Sequence, residues 1–259
     1  MTELELRQVV VETAKKYLGY REEDGSHKEI IDIYNNHKPL KRGYRVKYTD
    51  AWCATFVSSV AILCGLTEIM PTECGCGNMI LEYEKIGCWE EADDFVPQIG
   101  DILMYDWDDR GNGDNRGNPK HVGIVCQVSH ELLKVIEGNK GNQVDYRKVP
   151  INGKYIRGYG VPAYGKAVKE MIDSRRDLVK GEKSQLNKKP LWQGIVTAGS
   201  LNVRIWAGVE YQPCSFSPLK RGSHLWVCDS IKGSNQTRWY YICYGEKYGF
   251  VHSDYVKSA

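Results

Sequence analysis

The sequence predicts an α+β domain followed by a small all-β module, with a charged segment between them. Helical periodicity comes first in the chain, and short apolar strands follow it. The end of the chain then changes to short aromatic segments separated by turns. We therefore predict an α+β domain at residues 1–164, a linker at 165–190 and a small β-barrel at 191–259.

The front of the first domain is predicted to be helical. Leu4–Gly19 carries apolar residues at helical spacing, and Lys28–Asn36 reads as a second, shorter helix. A third helix is indicated by Ala54–Cys64, which is apolar and rich in small residues, and Gly65 is a typical stop signal. A further helical stretch is expected around Gly77–Ile86. In the linker, the periodicity of Val168–Val179 indicates that part of this segment is helical.

One of the nine cysteines, Cys53, has the surroundings of a nucleophile. Asp50 or Thr49 can cap the helix that follows it, because a short side-chain oxygen accepts an unpaired backbone N–H group. Cys53 then lies in the first helical turn, where unpaired N–H groups and the positive end of the helix dipole favour a thiolate. A cysteine in this position still requires a histidine from elsewhere in the chain as its base.

The strands that follow supply this histidine and a polar partner. The strand His121–Val128 opens on His121, and the strand Leu132–Asn139 ends on Glu137 and Asn139. Their short connection predicts an antiparallel pair, which would bring the histidine close to these polar side chains. A Cys–His pair needs a third group to fix the imidazole tautomer, and a carboxylate or amide can do this. Glu137 is the first choice and Asn139 the second, and their spacing places both on one strand face.

Four segments of the chain stand out in order, and they are Trp52–Ser58, Gly100–Ile102, His121–Val125 and Val135–Asn139. Together they resemble the CHAP family of papain-like cysteine amidases and peptidases, which cut bacterial peptidoglycan. The resemblance covers residues 1–164 and implies a papain-like fold of the CHAP/NlpC-P60 type. It implies Cys53 as nucleophile and His121 as base. It further implies Glu137 as the orienting acid and Asn139 as an accessory polar residue.

We expect neither a metal nor an organic cofactor. Some CHAP enzymes carry an Asp-rich calcium loop before the nucleophile, but Arg45–Asp50 is basic here. Cys74-Gly75-Cys76 and Cys88 lack the paired C-x-x-C spacing of a structural zinc site. Residues 106–116 faintly resemble a calcium loop, but Arg110 occupies an oxygen-ligand position and Gly117 stands where the final Glu should be. We interpret that segment as a solvated loop over the site.

Residues 191–259 resemble bacterial SH3 domains at two segments, Leu201–Arg204 and Gly249–Val256. The resemblance implies a role in cell-wall binding, and the alternative is a β module that only packs on the catalytic domain. Several aromatic residues could stack on sugar or peptide, and about half of them are expected in the core. They are Trp206, Tyr211, Trp239, Tyr240, Tyr244 and Tyr248.

Charge is distributed unevenly along the chain. Residues 1–164 hold 20 Lys and Arg against 25 Asp and Glu, a net −5. Residues 165–190 hold 8 against 4, and residues 191–259 hold 7 against 4, so both are net basic. The basic end suits an anionic wall polymer or a membrane surface, although such a small excess is also ordinary for a surface. We expect no nucleic-acid partner.

The remaining composition bears on where the protein is made and acts. A mean hydropathy of −0.48 without a long apolar stretch predicts no transmembrane segment. Met1–Arg7 begins an amphipathic helix and lacks the pattern of a signal peptide. An odd number of cysteines without a disulfide framework predicts synthesis in a reducing cytoplasm. For a phage-encoded protein, release to the cell wall would then go through a holin.

Together these features predict a modular peptidoglycan hydrolase that resembles a phage or prophage endolysin or a bacterial autolysin. Its expected substrate is an amide bond in wall peptidoglycan, within or attached to the stem peptide or cross-bridge. Three alternatives stay open. The first is a cysteine peptidase or acyltransferase of the same fold acting on other substrates. The second is a non-catalytic wall-binding protein, and the third is a metalloenzyme using Cys74, Cys76 and Cys88.

Overall fold

The computed structural model describes residues 1–109, 115–233 and 236–259, without the side chains of residues 175–182 and 184. The chain forms two compact units, Met1–Met171 and Ile172–Ala259. The first combines α-helices with an antiparallel sheet, and the second is built mainly from antiparallel strands. This confirms the mixed α+β class predicted from the sequence.

The helices begin and end close to the predicted positions. A capping box starts α1: the Thr2 hydroxyl accepts the Glu5 N–H, and the Glu5 carboxylate accepts the Thr2 N–H. Gly65 ends α3 in the left-handed conformation with φ of 66°, as its sequence position predicts. The helix α5 is longer than the periodic segment Val168–Val179. The helices are α1 (Glu3–Lys15), α2 (His27–Asn36), α3 (Cys53–Cys64), α4 (Cys76–Lys85) and α5 (Tyr164–Ser184).

A six-stranded antiparallel sheet forms the second layer of the first unit, in the order β1-β6-β2-β3-β4-β5. The predicted pairing of β3 with β4 is confirmed, with Ile124 opposite Ile136. The strand β1 is only two residues long and β5 is largely polar, so neither carries a clear strand pattern in the sequence. The strands are β1 (Trp89–Glu90), β2 (Ile102–Tyr105), β3 (His121–Val128), β4 (Leu132–Glu137), β5 (Asp145–Pro150) and β6 (Ile156–Gly160).

The sheet carries a hydrophobic core on each face. Because successive strand residues point to opposite faces, the apolar runs of β2 and β3 supply both cores at once. Residues on one face pack with α1, α2, α3 and α4, and they are Ile102, Met104, Val122, Ile124 and Ile136. Residues on the other face form a second core, and they are Leu103, Tyr105, Val125, Leu133 and Val135. The sheet is therefore held between two apolar layers.

A buried ion pair joins α1 to the turn before β2. Arg7 Nη1 donates to Asp101 Oδ1 at 2.7 Å and to the Ile99 carbonyl at 3.0 Å. The two side chains are only 5% and 1% exposed. The guanidinium also lies over the Tyr164 ring, 4.5 Å from its centroid. This pair therefore ties the first helix to the turn that begins the sheet.

We expect Arg7→Ala to lower the free energy of unfolding of the first unit by about 3–5 kcal/mol, because Asp101 would keep a buried charge without its partner. Urea denaturation followed by circular dichroism measures this loss. Arg21→Ala is the control, since Arg21 is 49% exposed and its ion pairs are at the surface. It should cost about 1 kcal/mol or less. Equal losses in the two variants would contradict a special role for the buried pair.

The second unit contains a five-stranded antiparallel sheet in the order β12-β11-β10-β7-β13 and a two-stranded sheet, β8-β9. Its interior divides into an aliphatic cluster around Val203, Ile242 and Val251 and an aromatic cluster around Trp239 and Phe250. The strands are β7 (Trp192–Val196), β8 (Ser200–Leu201), β9 (Leu219–Lys220), β10 (His224–Lys232), β11 (Arg238–Tyr244), β12 (Lys247–His252) and β13 (Val256–Ser258).

None of the helices in the described ranges has the length and apolar character needed to cross a membrane.

Candidate active site

Cys53 is the first residue of α3, and it is 7% exposed. The predicted capping by Asp50 or Thr49 is wrong: Trp52 occupies the N-cap position, and no side chain caps the helix. The Asp50 carboxylate instead accepts hydrogen bonds within its own loop, including one from the Lys47 N–H at 2.8 Å. Among the described residues the Cys53 N–H has no acceptor, so it is free to meet a negative charge.

Burial, not capping, holds the start of α3 in place. The Trp52 side chain is fully buried, and its indole N–H donates to Glu22 Oε1 at 3.0 Å. The buried His27 ring lies 5.8 Å from the Trp52 ring. The His27 imidazole thus packs beneath the helix start, and its ring nitrogens bond to the backbone carbonyls of Arg21 and Tyr48.

His121 and Glu137 lie together at one end of the sheet. His121 opens β3 and its Nε2 is 3.0 Å from Glu137 Oε2. Glu137, the last residue of β4, is fully buried. Arg147 of β5 donates from Nε to both carboxylate oxygens, at 2.8 and 3.0 Å. The carboxylate is thus fixed from two sides, and His121 Nδ1 is the ring nitrogen left for the thiol.

Cys53 and His121 have opposite pKa shifts. Hydrogen bonding by Cys76 lowers the pKa of the Cys53 thiol, burial opposes this shift, and interaction with His121 lowers the pKa further. Burial would lower the pKa of His121, but its hydrogen bonds with Cys53 and Glu137 outweigh burial and raise it to about 9. The pair therefore favours a thiolate beside an imidazolium, the charge state of an activated cysteine nucleophile.

The pKa of Glu137 is lowered despite its burial. Burial alone would raise it, but hydrogen bonds from His121 and then Arg147 stabilise the charged carboxylate. Glu137 therefore stays ionised next to the imidazolium. Arg147 was missed by the sequence analysis, because it lies on a strand that the sequence pattern did not reveal.

Two glycines allow these groups to approach one another. A Cβ on Gly123 would lie 2.7 Å from the Glu137 Cγ, so its absence makes room for the buried carboxylate side chain. A Cβ on Gly138 would lie 2.4 Å from the Phe56 Cβ and 2.9 Å from the Trp52 ring. The end of β4 consequently packs its backbone directly against the first turns of α3.

Cys76 is a neighbour of Cys53 that the sequence analysis considered only as a metal ligand. Its Sγ lies 3.8 Å from the Cys53 Sγ. Cys76 is the first residue of α4, as Cys53 is of α3. The hydrogen bond with Cys53, and then burial, raise the pKa of Cys76, so Cys76 is the protonated partner. A second cysteine at a predicted helix start is the signal that could have drawn attention to it.

Asn139 lies near the site but not as predicted. The strand β4 ends at Glu137, and Asn139 is in a turn with φ of 56°, so the shared strand face expected for the two residues does not exist. Its side chain makes no hydrogen bond to His121 or Glu137, all three being described residues. Asn139 instead lines a depression next to the imidazole.

Two depressions are lined by residues of the site or by their neighbours. One, of about 220 Å³, is lined by Trp107, His121, Asn139, Lys140, Gly141 and Arg147. The other, of about 250 Å³, is lined by Arg42, Tyr44, Val46, Asp50, Ala51 and Cys74. The Trp107 ring is 37% exposed, stacks on Tyr105 at 4.7 Å and lies under the Arg147 guanidinium. Trp107 is therefore a fixed aromatic wall beside the imidazole.

The segment 106–116, predicted as a solvated loop, is only partly described, since residues 110–114 lie outside the described part. The prediction is wrong for Asp106, Asp109 and Asn115, which are buried. Asp106 accepts the Asp108 N–H at 3.0 Å, and Asp109 accepts the Tyr155 N–H at 2.8 Å. These carboxylates bond the backbone and so order the parts of the segment next to β2.

The metal-ligand arrangement considered for Cys74, Cys76 and Cys88 does not form. Throughout the described ranges, no three or more His, Cys, Asp or Glu side chains are grouped so as to hold a metal ion. Cys76 instead contacts Cys53, and the Cys74 sulfur accepts from Arg42 at 3.7 Å.

The second unit carries a depression of about 480 Å³ with aromatic walls. Of the six aromatic residues named from the sequence, Trp239 alone lines it among the described residues, and its ring lies 5.3 Å from that of His252. Tyr255 also lines this depression. Trp206 is buried in the aromatic cluster, and Tyr211 and Tyr248 pack against that cluster. His252 and Tyr255 were missed because their closeness to Trp239 depends on the fold of the unit.

No model of a known protein family matches the chain, and no curated protein matches it. Among solved structures, the crystal structure of Ly7917 aligns at 15% identity and a TM-score of 0.35, covering 100% of this chain and 98% of that chain. A second structure, Ly7917 with the hydrolyzing product of MDP, aligns at 16% identity and a TM-score of 0.29, covering 80% and 88%. At TM-scores this low, neither likeness carries weight for fold or function.

Proposed function

We propose that the first unit hydrolyses an amide bond of bacterial peptidoglycan by a thiol mechanism on a papain-like fold, and that residues 191–259 are an SH3-like wall-binding module. The observation that carries this proposal is the connected set of Cys53, His121 and Glu137, with the thiol at a helix start and the carboxylate ionised. The motif resemblance to CHAP enzymes supports the choice of peptidoglycan as substrate. The aromatic depression of the second unit supports a binding role.

In the first half of the reaction, the Cys53 thiolate attacks the carbonyl carbon of the scissile amide. The free N–H of Cys53 at the start of α3 stabilises the oxyanion that forms. The imidazolium of His121 gives its Nδ1 proton to the amide nitrogen, the C–N bond breaks, and the amine leaves. An acyl thioester on Cys53 and a neutral His121 remain.

In the second half, His121 Nδ1 takes a proton from a water molecule, which attacks the thioester carbonyl. The C–S bond breaks, the carboxylic acid product leaves, and the thiolate–imidazolium pair is restored. Glu137 keeps His121 Nε2 protonated and its ring oriented in both halves, since it accepts from Nε2 at 3.0 Å. Arg147 acts on His121 indirectly, because it positions the Glu137 carboxylate.

Purified protein added to a panel of Gram-positive cell walls, with and without iodoacetamide, tests this proposal. We expect clearing that alkylation abolishes, and mass spectrometry of the products then names the bond that is cut. Cleavage of casein but of no wall would favour a peptidase or acyltransferase acting on other substrates. Binding without clearing would favour a wall-binding protein, and EDTA-sensitive activity that resists alkylation would favour a metalloenzyme.

The charge pair predicts a bell-shaped dependence of kcat/KM on pH. Activity should fall on the acid side as the Cys53 thiolate is protonated, at a pH below the ordinary thiol pKa because that pKa is lowered. It should fall on the alkaline side around pH 9, where His121 loses the proton that the leaving amine needs. Initial rates on purified peptidoglycan between pH 5 and 10 would check this. A rate that rises steadily through pH 9 to pH 10 would contradict an imidazolium acid.

A further inference from the structure

We propose that Cys53 and Cys76 are an oxidation site, a dithiol that a peroxide converts to a reversible disulfide. Two sulfur atoms 3.8 Å apart, on the first residues of two helices, carry this inference. Formation of the bond needs only these two thiols and a peroxide. Any effect of this disulfide on cell-wall hydrolysis rests on the function proposed above.

Only a small movement separates the two thiols from a bond. A disulfide joins its sulfurs at about 2.0 Å, so the two atoms must approach by about 1.8 Å. Side chains in a helix interior have restricted rotation, because one rotamer clashes with the preceding turn. Neither Cys53 nor Cys76 has a preceding helical turn, since each begins its helix. Rotation of the two side chains toward one another is therefore not blocked by a preceding helical turn.

The two cysteines also differ in the way that this chemistry requires. Cys53 is the thiolate of the pair, and thiolates are the form that peroxides oxidise. Cys76 stays protonated and inert until its partner reacts. All nine cysteines of the chain are free thiols in this structure, so the described state is the reduced one.

The oxidation balances in two steps. The Cys53 thiolate attacks one oxygen of the peroxide, an S–O bond forms, the O–O bond breaks, and hydroxide or an alkoxide leaves. The Cys76 sulfur then attacks the sulfenic sulfur, an S–S bond forms, and the S–O bond breaks. The sulfenic hydroxyl leaves with the Cys76 proton as water. The two thiols have lost two electrons to the peroxide, and a dithiol reductant reverses the change.

Other cysteines are less suited to the second step. Cys64 lies at the far end of α3. The Cys74 sulfur accepts from Arg42 Nη2 at 3.7 Å, whereas the Cys76 sulfur lies 3.8 Å from that of Cys53. Cys76 is thus the thiol that can intercept an oxidised Cys53. Interception prevents further oxidation of the sulfenic acid to sulfinic acid, which ordinary thiol reductants do not reverse.

Peptide mapping of the full-length protein after hydrogen peroxide treatment tests the proposal without any activity assay. Trypsin leaves both cysteines in one peptide, Tyr48–Lys85, so cleavage after glutamate is needed. Cleavage at Glu68 and Glu73 places Cys53 and Cys76 in different peptides, which the disulfide would join and dithiothreitol would separate. Fragment spectra then distinguish Cys53 from Cys64, and Cys76 from Cys74.

Two serine variants complete the test. Cys76→Ser keeps a hydrogen-bond donor beside Cys53 but cannot form the bond, so Cys53 should proceed to sulfinic acid. After peroxide and then dithiothreitol, recovery of unmodified Cys53 should be about tenfold lower than in the wild-type protein. Cys74→Ser is the matched control, two residues away, and it should recover as the wild type does.

The proposal is overturned if the wild-type protein gives sulfinic Cys53 without a joined peptide, or if Cys53 is joined to Cys64 or Cys74. It is also overturned if Cys76→Ser recovers as fully as the wild-type protein. A protein that forms the Cys53–Cys76 bond but clears no wall would support this inference and contradict the proposed function. The two hypotheses therefore fail separately.

Discussion

Cys53→Ala is expected to abolish hydrolysis of cell walls while wall binding by residues 191–259 is retained. The substitution removes the sulfur atom that attacks the amide carbonyl. Loss of the nucleophile from a catalytic set of this type lowers kcat by about 10⁴-fold or more. Turbidity loss of a wall suspension measures the activity, and co-sedimentation of the protein with walls measures binding.

Cys64→Ala is the matched control for this variant. Cys64 lies in the same helix at its opposite end, and burial raises the pKa of its thiol, so it is not poised to react. Its alanine variant should clear walls at the wild-type rate. If Cys53→Ala cleared walls at the wild-type rate, that result would contradict the thiol mechanism.

Glu137→Gln is expected to give the second largest effect, a loss in kcat of about 10²–10⁴-fold. The amide is neutral, so it stabilises the His121 imidazolium less, and it offers Arg147 one acceptor oxygen where the carboxylate offers two. The pKa of His121 should fall from about 9 toward its ordinary value of about 6.5. The alkaline limb of the pH–rate profile should therefore move to lower pH.

The displaced alkaline limb separates a role in orienting and charging His121 from a role in folding. A variant that lost activity only through instability would keep the limb near pH 9 in its folded fraction. Glu131→Gln is the control, because Glu131 is exposed and stands just before the other end of β4. It should retain both the rate and the profile of the wild-type protein.

Much of the first unit could be predicted from local sequence patterns. The bounds of β3 follow from the apolar run that opens on His121, and the end of α3 follows from Gly65. The start of α3 was placed correctly for the wrong reason. Asp50 and Thr49 are good capping residues, but Trp52 takes the N-cap position because its ring is fully buried. Tertiary packing here overrides a local preference.

The parts of the site that could not be predicted depend on contacts distant in sequence. Arg147 lies on the edge strand β5, whose sequence Asp145–Pro150 is largely polar and gives little signal of its own. Cys76 meets Cys53 only because the starts of α3 and α4 meet, and no spacing rule encodes that contact. Asn139 was placed on the face of a strand that in fact ends two residues earlier.

The close contact at Gly138 limits how this site can be altered. Phe56, which it touches, lies three residues after Cys53, and Gly138 directly follows Glu137. The spacing between α3 and the end of β4 is thus set by the Gly138 backbone against the Phe56 side chain, and a side chain at position 138 would have no room. A change of substrate range would therefore have to arise in the rim, at Trp107, Lys140 and their neighbours. The positions of Cys53, His121 and Glu137 are thus fixed by packing, and substitutions that change the substrate range are confined to the residues around them.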